Sequence, residues 1–182
     1  ALHDVAPLGA LPGLVGLRLD RVRAGSFAAL AALDYLADAS FAGAALPDVE
    51  FLRGQVHLRS LDLADDQVRD LSPIATLRSL TALDLSREPV TDLRPLAGLE
   101  ALEALSLAGV PARTAAPLAR LVHLRELDLS GSRIGSLAPL AGLAGLEVLR
   151  LDRTPVADVS PLRSLGRLRS LSLRGTRVVS VR

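Results

Sequence analysis

Leucine returns every 22 residues along this chain, at Leu14, Leu36, Leu58, Leu80, Leu102, Leu124, Leu146 and Leu168. Eight copies align in that register without a gap. The copy opening at Leu80 shows the pattern cleanly: Leu80, Leu83, Leu85, Val90, Leu93, Leu96 and Leu99, after which Leu102 begins the next. A fixed period of this size predicts a solenoid, in which each unit buries its apolar face only against its neighbours. That prediction overrides the ordinary reading of 182 residues as one globular domain.

Within a copy, the second and third leucines stand two apart, as Leu83 and Leu85 do. Period-two spacing sends both inward and leaves the residues between them on the outer face, so each copy carries one short strand. Stacking the copies aligns these strands into a parallel sheet. Further on, every copy has Asp, Ser or Thr at one position: Asp4, Ser26, Asp48, Asp70, Asp92, Thr114, Ser136, Asp158 and Ser180. A short side-chain oxygen there accepts from free backbone N–H groups at a helix start. Proline follows three residues later at Pro7, Pro73, Pro95, Pro117, Pro139 and Pro161, where a first turn does not need its missing N–H. The spacing leaves room only for a 3₁₀ or single α turn on the side opposite the strand.

This pattern, L-x-x-L-x-L-x-x-(N/T)-x-V-x-D-L-x-P-L-x-x-L-x-x, resembles the leucine-rich repeat family in its 22-residue bacterial, internalin-like form. It covers essentially the whole chain. The resemblance implies an α/β solenoid: a right-handed superhelix with a concave parallel β-sheet and short 3₁₀ or α turns on the convex side. Copies opening at Leu58, Leu80, Leu124 and Leu146 fit best, whereas those at Leu14, Leu36 and Leu102 have drifted. The family often places Asn eight residues after the opening leucine, to hydrogen-bond along the loop backbones. Here that column reads Val22, Ala44, Asp66, Glu88, Val110, Ser132, Thr154 and Thr176. Thr and Ser replace part of that bonding and Val and Ala do not, so a looser turn is expected at Val22, Ala44 and Val110.

Composition excludes several kinds of chemistry. The 21 basic residues are all Arg, against 20 acidic ones, and a net charge of +1 gives no whole-chain pull toward nucleic acid or membrane. Without Cys there is no disulfide, thiolate metal site or thiol nucleophile, and without Lys no phosphate loop ending in Gly-Lys. Neither G-x-S-x-G nor H-E-x-x-H occurs, so no catalytic residues, metal ligands or cofactor are assigned. His57 and His123 share a column three copies apart, roughly 14 Å at the spacing of stacked strands, too far to share a metal. They and His3 read as scattered polar residues. Asp65 and Asp66 fall in the loop leaving a strand and read as a solvated turn. No apolar run approaches the roughly 18 residues a membrane span needs.

The concave sheet face carries the informative surface. Its central column is Arg18, Ser40, Asp62, Asp84, Ser106, Asp128, Arg150 and Ser172; the column before it contributes Glu126. Asp62, Asp84, Glu126 and Asp128 thus stand among small residues, with Arg18 and Arg150 outside them, as the candidate partner-binding set. Like charges on adjacent strands repel, so a basic protein surface is the partner chemistry that fits. Repeats of this kind also tend to contain Leu-Asp-Leu, which keeps a sheet face soluble without any partner. Phe27 and Phe41 sit in core columns, and Tyr35 is the aromatic best placed to meet a partner. Residues 147–182 hold eight Arg and three acids, a basic end that reads as a docking surface for an adjoining domain. With no aromatic rings nearby to stack on bases, nucleic acid is not an expected partner.

Residues 1–182 are expected to form one repeat domain: a partial copy over 1–13, then copies from 14, 36, 58, 80, 102, 124, 146 and 168. Neither end shows the polar cap a solenoid needs, so flanking domains of a longer bacterial chain are expected. The leading expectation is a non-catalytic protein-binding module, the sensing arm of a multidomain signalling or defence protein. A surface adhesin and a structural spacer are the alternatives. The missing export signal tilts the expected setting toward the cytoplasm.

Overall fold

The computed structural model describes residues 4–179; His3 and Ser180, both named above, lie outside them. Eight three-residue strands follow one another at the repeat spacing: β1 (Gly16–Arg18), β2 (Asp38–Ser40), β3 (Ser60–Asp62), β4 (Ala82–Asp84), β5 (Ala104–Ser106), β6 (Glu126–Asp128), β7 (Val148–Arg150) and β8 (Ser170–Ser172). They form one all-parallel sheet in strict sequence order. Each strand pairs with the next at an offset of one repeat, so Leu61, Leu83, Leu105, Leu127, Leu149 and Leu171 stand side by side. The periodicity therefore translates directly into register.

A short 3₁₀ turn precedes each strand, from Ala6–Ala10 to Ser160–Ser164. No α-helix forms among the described residues: each stretch between strands is spent on turns and one 3₁₀ segment of three to five residues. The Asp, Ser and Thr column acts one position earlier than a conventional N-cap. In all eight described copies its oxygen accepts the N–H two residues on, at 2.8–3.4 Å, which is the first residue of the 3₁₀ turn. These are Asx and Ser/Thr turns, and they fix where each helical turn begins.

The core is a continuous stack of leucines closed by Val, Ile and Ala. The copies that drift from the pattern are repacked rather than loosened. Ala39 replaces an inward leucine on β2, and Phe27, Phe41 and Phe51 fill the space with ring centroids 5.2–6.1 Å apart. The turn leaving the strand is also as tight at Val22, Ala44 and Val110 as elsewhere, correcting the expectation of looseness. Their N–H groups reach the carbonyls of Leu19, Phe41 and Leu107 at 3.0, 2.8 and 3.1 Å, against 3.1 and 3.2 Å at Ser132 and Thr154. Backbone bonding holds this turn, helped by a left-handed residue just before it. That residue is Gly43, Gly109, Gly131 or Gly175 in four copies, and Arg21, Asp65, Arg87 or Arg153 in the others.

Candidate functional site

The sheet register places Arg18, Ser40, Asp62, Asp84, Ser106, Asp128, Arg150 and Ser172 in one unbroken row. Glu126 stands in the neighbouring row between Ala104 and Val148. Two shallow hollows run along this face and meet at Ser60 and Asp62. The first holds Arg18, Asp20, Asp38 and Asp62; the second holds Asp62, Asp84, Glu126, Asp128 and Arg150. All six residues singled out from the sequence therefore line one trough. Asp20 and Asp38, which were not singled out, extend its acidic character toward β1.

The central aspartates serve the fold as well as the surface. One oxygen each of Asp62, Asp84 and Asp128 accepts the N–H two residues on (Ala64, Ser86 and Ser130) at 2.9, 2.7 and 2.8 Å. Each thereby pins the exit of its own strand, a reason for Leu-Asp-Leu that owes nothing to binding. The second oxygens of Asp84 and Asp128, and both of Glu126, have no hydrogen-bond or ion-pair partner among the described residues. They are left to face the trough. Asp62 is more enclosed: its other oxygen accepts the Ser40 hydroxyl at 3.4 Å. Burial pushes its carboxyl above the ordinary value, and the nearby Asp84 and Asp20 charges push the same way. Two carboxylates side by side in a partly desolvated row repel each other, so added positive charge nearby would relieve the row.

Tyr35 lies in the turn that precedes β2, 61% exposed. Its ring stacks on His57 of the next copy, with centroids 5.9 Å apart and planes 14° from parallel. His57 therefore supports an exposed aromatic face, a role its column position alone did not reveal.

Asp65 and Asp66 do not form the solvated turn read from the sequence. Asp65 is exposed and ion-paired to Arg87 of the next copy, whereas Asp66 is 0% exposed. One Asp66 oxygen accepts the Leu46 N–H at 3.1 Å, and the other has no hydrogen-bond partner. Glu88, also fully buried, accepts the N–H groups of Asp66 and Val68 at 2.6 Å each. These two carboxylates occupy the column where the family uses Asn, and they bond along the loop backbones as its amide would. Burial pushes Asp66 up to about 6 and Glu88 up to about 7. Among the described residues, no group of three His, Asp or Glu side chains converges to hold a metal ion. No helix among them is long and apolar enough to cross a membrane.

Neither a family model nor a curated protein matches the sequence. Solved structures do match. An internalin (inlF) of Listeria monocytogenes superposes on 98% of this chain with a TM-score of 0.95 at 26% identity. Internalin C2 of the same species covers 95% of it with a TM-score of 0.91 at 30% identity. A leucine-rich repeat protein of Leptospira interrogans, at 17% identity and a TM-score of 0.82, shares the fold. The chain spans 53% of the length of the first and 76% of the second. A stack of 22-residue units with one parallel strand and one 3₁₀ turn apiece, superposing this closely, defines a leucine-rich repeat solenoid. The chain belongs to the internalin-like leucine-rich repeat family.

Proposed function

We propose that this chain is a non-catalytic protein-binding module whose concave trough receives a basic protein surface. The observation that carries the reading is the unbroken row of register-aligned side chains. Asp62, Asp84, Glu126 and Asp128 present carboxylate oxygens on a rigid sheet between Arg18 and Arg150. Such a face offers area and regular geometry, which suits a macromolecular partner. The acids supply attraction during encounter, and the flanking arginines set the register by repelling a misplaced cation and pairing with acids at its margins. In a longer bacterial chain the module acts as the sensing or partner-binding arm of a signalling or defence protein. The likeness to internalins favours the second reading, a surface adhesin of the same concave-face type.

The test replaces Asp62, Asp84, Glu126 and Asp128 together with Ser, which keeps a side-chain acceptor for the strand-exit turns. Binding kinetics are then measured at low and high salt against a partner recovered with the full-length protein. The variant is expected to associate more slowly, with a flatter salt dependence, and to fold as well as the parent. Unchanged association would reduce the trough to a solubilising surface and leave the spacer reading.

A further inference from the structure

The rim where the strands leave the sheet changes character along the stack. In the third and fourth copies its charges are neutralised or buried: Asp65 pairs with Arg87, while Asp66 and Glu88 bond to backbone N–H groups. In the sixth to eighth copies the same rim carries Arg133, Arg153, Arg174 and Arg177, all exposed. None of the four lies within ion-pair distance of a carboxylate among the described residues. The acid beside them is Asp152; one of its oxygens is engaged by the Ser172 hydroxyl and, at 2.8 Å, by the Arg174 N–H, and its single negative charge, which feels Arg174 and Arg153, leaves the group of four strongly positive. Arg150 adjoins the group on the trough side, next to Asp128 in the sheet register.

The backbone under these arginines is hydrogen-bonded from copy to copy. Arg133 and Arg177 occupy the same position two copies apart, and each donates its N–H to the preceding copy, to Ala112 at 3.0 Å and to Val156 at 2.8 Å. The Arg153 N–H is held by the Arg174 carbonyl at 2.7 Å. Four guanidinium groups are thus carried on a regularly spaced, hydrogen-bonded ladder. Two stacked strands separate Arg133 from Arg177 by roughly 10 Å, the reach of about three residues of extended chain. Guanidinium groups hold carboxylates through paired N–H donors, and several acting together overcome the weakness of a single exposed ion pair.

We propose that Arg133, Arg153, Arg174 and Arg177 form a docking strip for an extended acidic protein segment, separate from the concave trough. Charge complementarity selects such a segment. A nucleic acid would bring the same charge but also bases, and all the Phe and Tyr rings of the chain (Phe27, Tyr35, Phe41, Phe51) lie in the first two copies, away from this rim. The strip does not depend on what the trough binds, because the two use different residues and opposite charge.

The probes are a fluorescently labelled deca-glutamate peptide and a labelled deca-thymidine oligonucleotide, titrated into the whole chain at low salt and followed by anisotropy. The peptide is expected to bind and the oligonucleotide to bind about tenfold more weakly. The triple variant Arg153→Ser, Arg174→Ser, Arg177→Ser is expected to lose peptide affinity by about tenfold. A control removing the same charge elsewhere, Arg59→Ser, Arg69→Ser, Arg78→Ser, should lose less than about twofold. Backbone amide shifts of the unmodified chain, recorded with the peptide, should move between Arg133 and Arg177. Absence of peptide binding, equal losses in the two triple variants, oligonucleotide binding as tight as the peptide's, or shifts centred elsewhere would each overturn the proposal.

Discussion

Gln55 occupies the position that Leu33, Leu77 and Leu99 fill in neighbouring copies. It is 4% exposed, its amide N–H reaches only the Leu30 carbonyl at 3.5 Å, and its amide oxygen has no partner. A buried polar atom left unpaired costs about 1–3 kcal/mol. Gln55→Leu should therefore stabilise the chain by about that much, read as a higher denaturant midpoint with an unchanged slope. The Leu30 carbonyl keeps the Leu33 N–H at 3.1 Å, so the substitution orphans nothing. The opposite change, Leu127→Ala in the fully buried stack, should cost about 2–5 kcal/mol, while Ala42→Ser should stay within about 0.5 kcal/mol. Similar midpoints for these two variants would mean that the inward and outward columns are misassigned.

At the scale of the element, the loops between strands divide into two kinds of turn. The turn before each 3₁₀ segment is held by one side-chain oxygen, so Asp70→Ala should lower the denaturant midpoint and Asp70→Ser should lower it less. The loop after β3 and β4 instead rests on buried Asp66 and Glu88. Their folded-state values, about 6 and about 7, lie above the ordinary 3.8 and 4.5, so the folded chain binds their protons more tightly than the unfolded chain. Their contribution to stability is fully present below about pH 4 and is lost as pH rises through about 6–7. Asp62 and Asp65 add negative charge near Asp66, and Asp66 and Asp65 do so near Glu88. Asp70, Asp92, Asp152 and Asp158 run the other way: each is held below its ordinary value chiefly by a hydrogen bond, so its contribution is lost as the solution becomes strongly acid. The urea midpoint should therefore be higher near pH 5 than near pH 8 and fall again below about pH 4. In Asp66→Asn the rise between pH 8 and 5 should shrink; a rise of the same size would show that Asp66 does not titrate in that window.

At the scale of the whole molecule, close backbone approach between elements among the described residues runs only between neighbours in the stack: each strand lies against the next, and each 3₁₀ segment against the next. A solenoid of this kind draws its stability from nearest-neighbour interfaces, so for residues 1–182 taken by themselves an inner copy is held from both sides and an outer one from one. The burial pattern already shows this. Leu149 is fully buried, whereas Leu171, its register partner on β8, is 39% exposed. Native-state hydrogen exchange should accordingly give the highest opening free energies in β3–β6 and the lowest in β1 and β8. Uniform protection along all eight strands would indicate a single global opening and refute the nearest-neighbour account.

The repeat pattern alone carried the register, the parallel sheet, the inward columns and the trough row, because a period of 22 residues maps each column onto one line of the stack. It also placed the Asp, Ser and Thr column at the start of each helical turn, since a short oxygen there has few other backbone donors in reach. What it did not carry were properties set by burial and by side chains from different copies. Asp66 reads as solvated beside Asp65, yet the next copy's Glu88 and the previous copy's Leu46 enclose it. The His57 support beneath Tyr35 and the Phe27–Phe51 stack that helps rescue the second copy likewise join residues about one repeat apart. Column position tells which way a side chain points. Whether it ends in water, on a ring or against a backbone amide depends on the copies above and below, and only the assembled stack decides that.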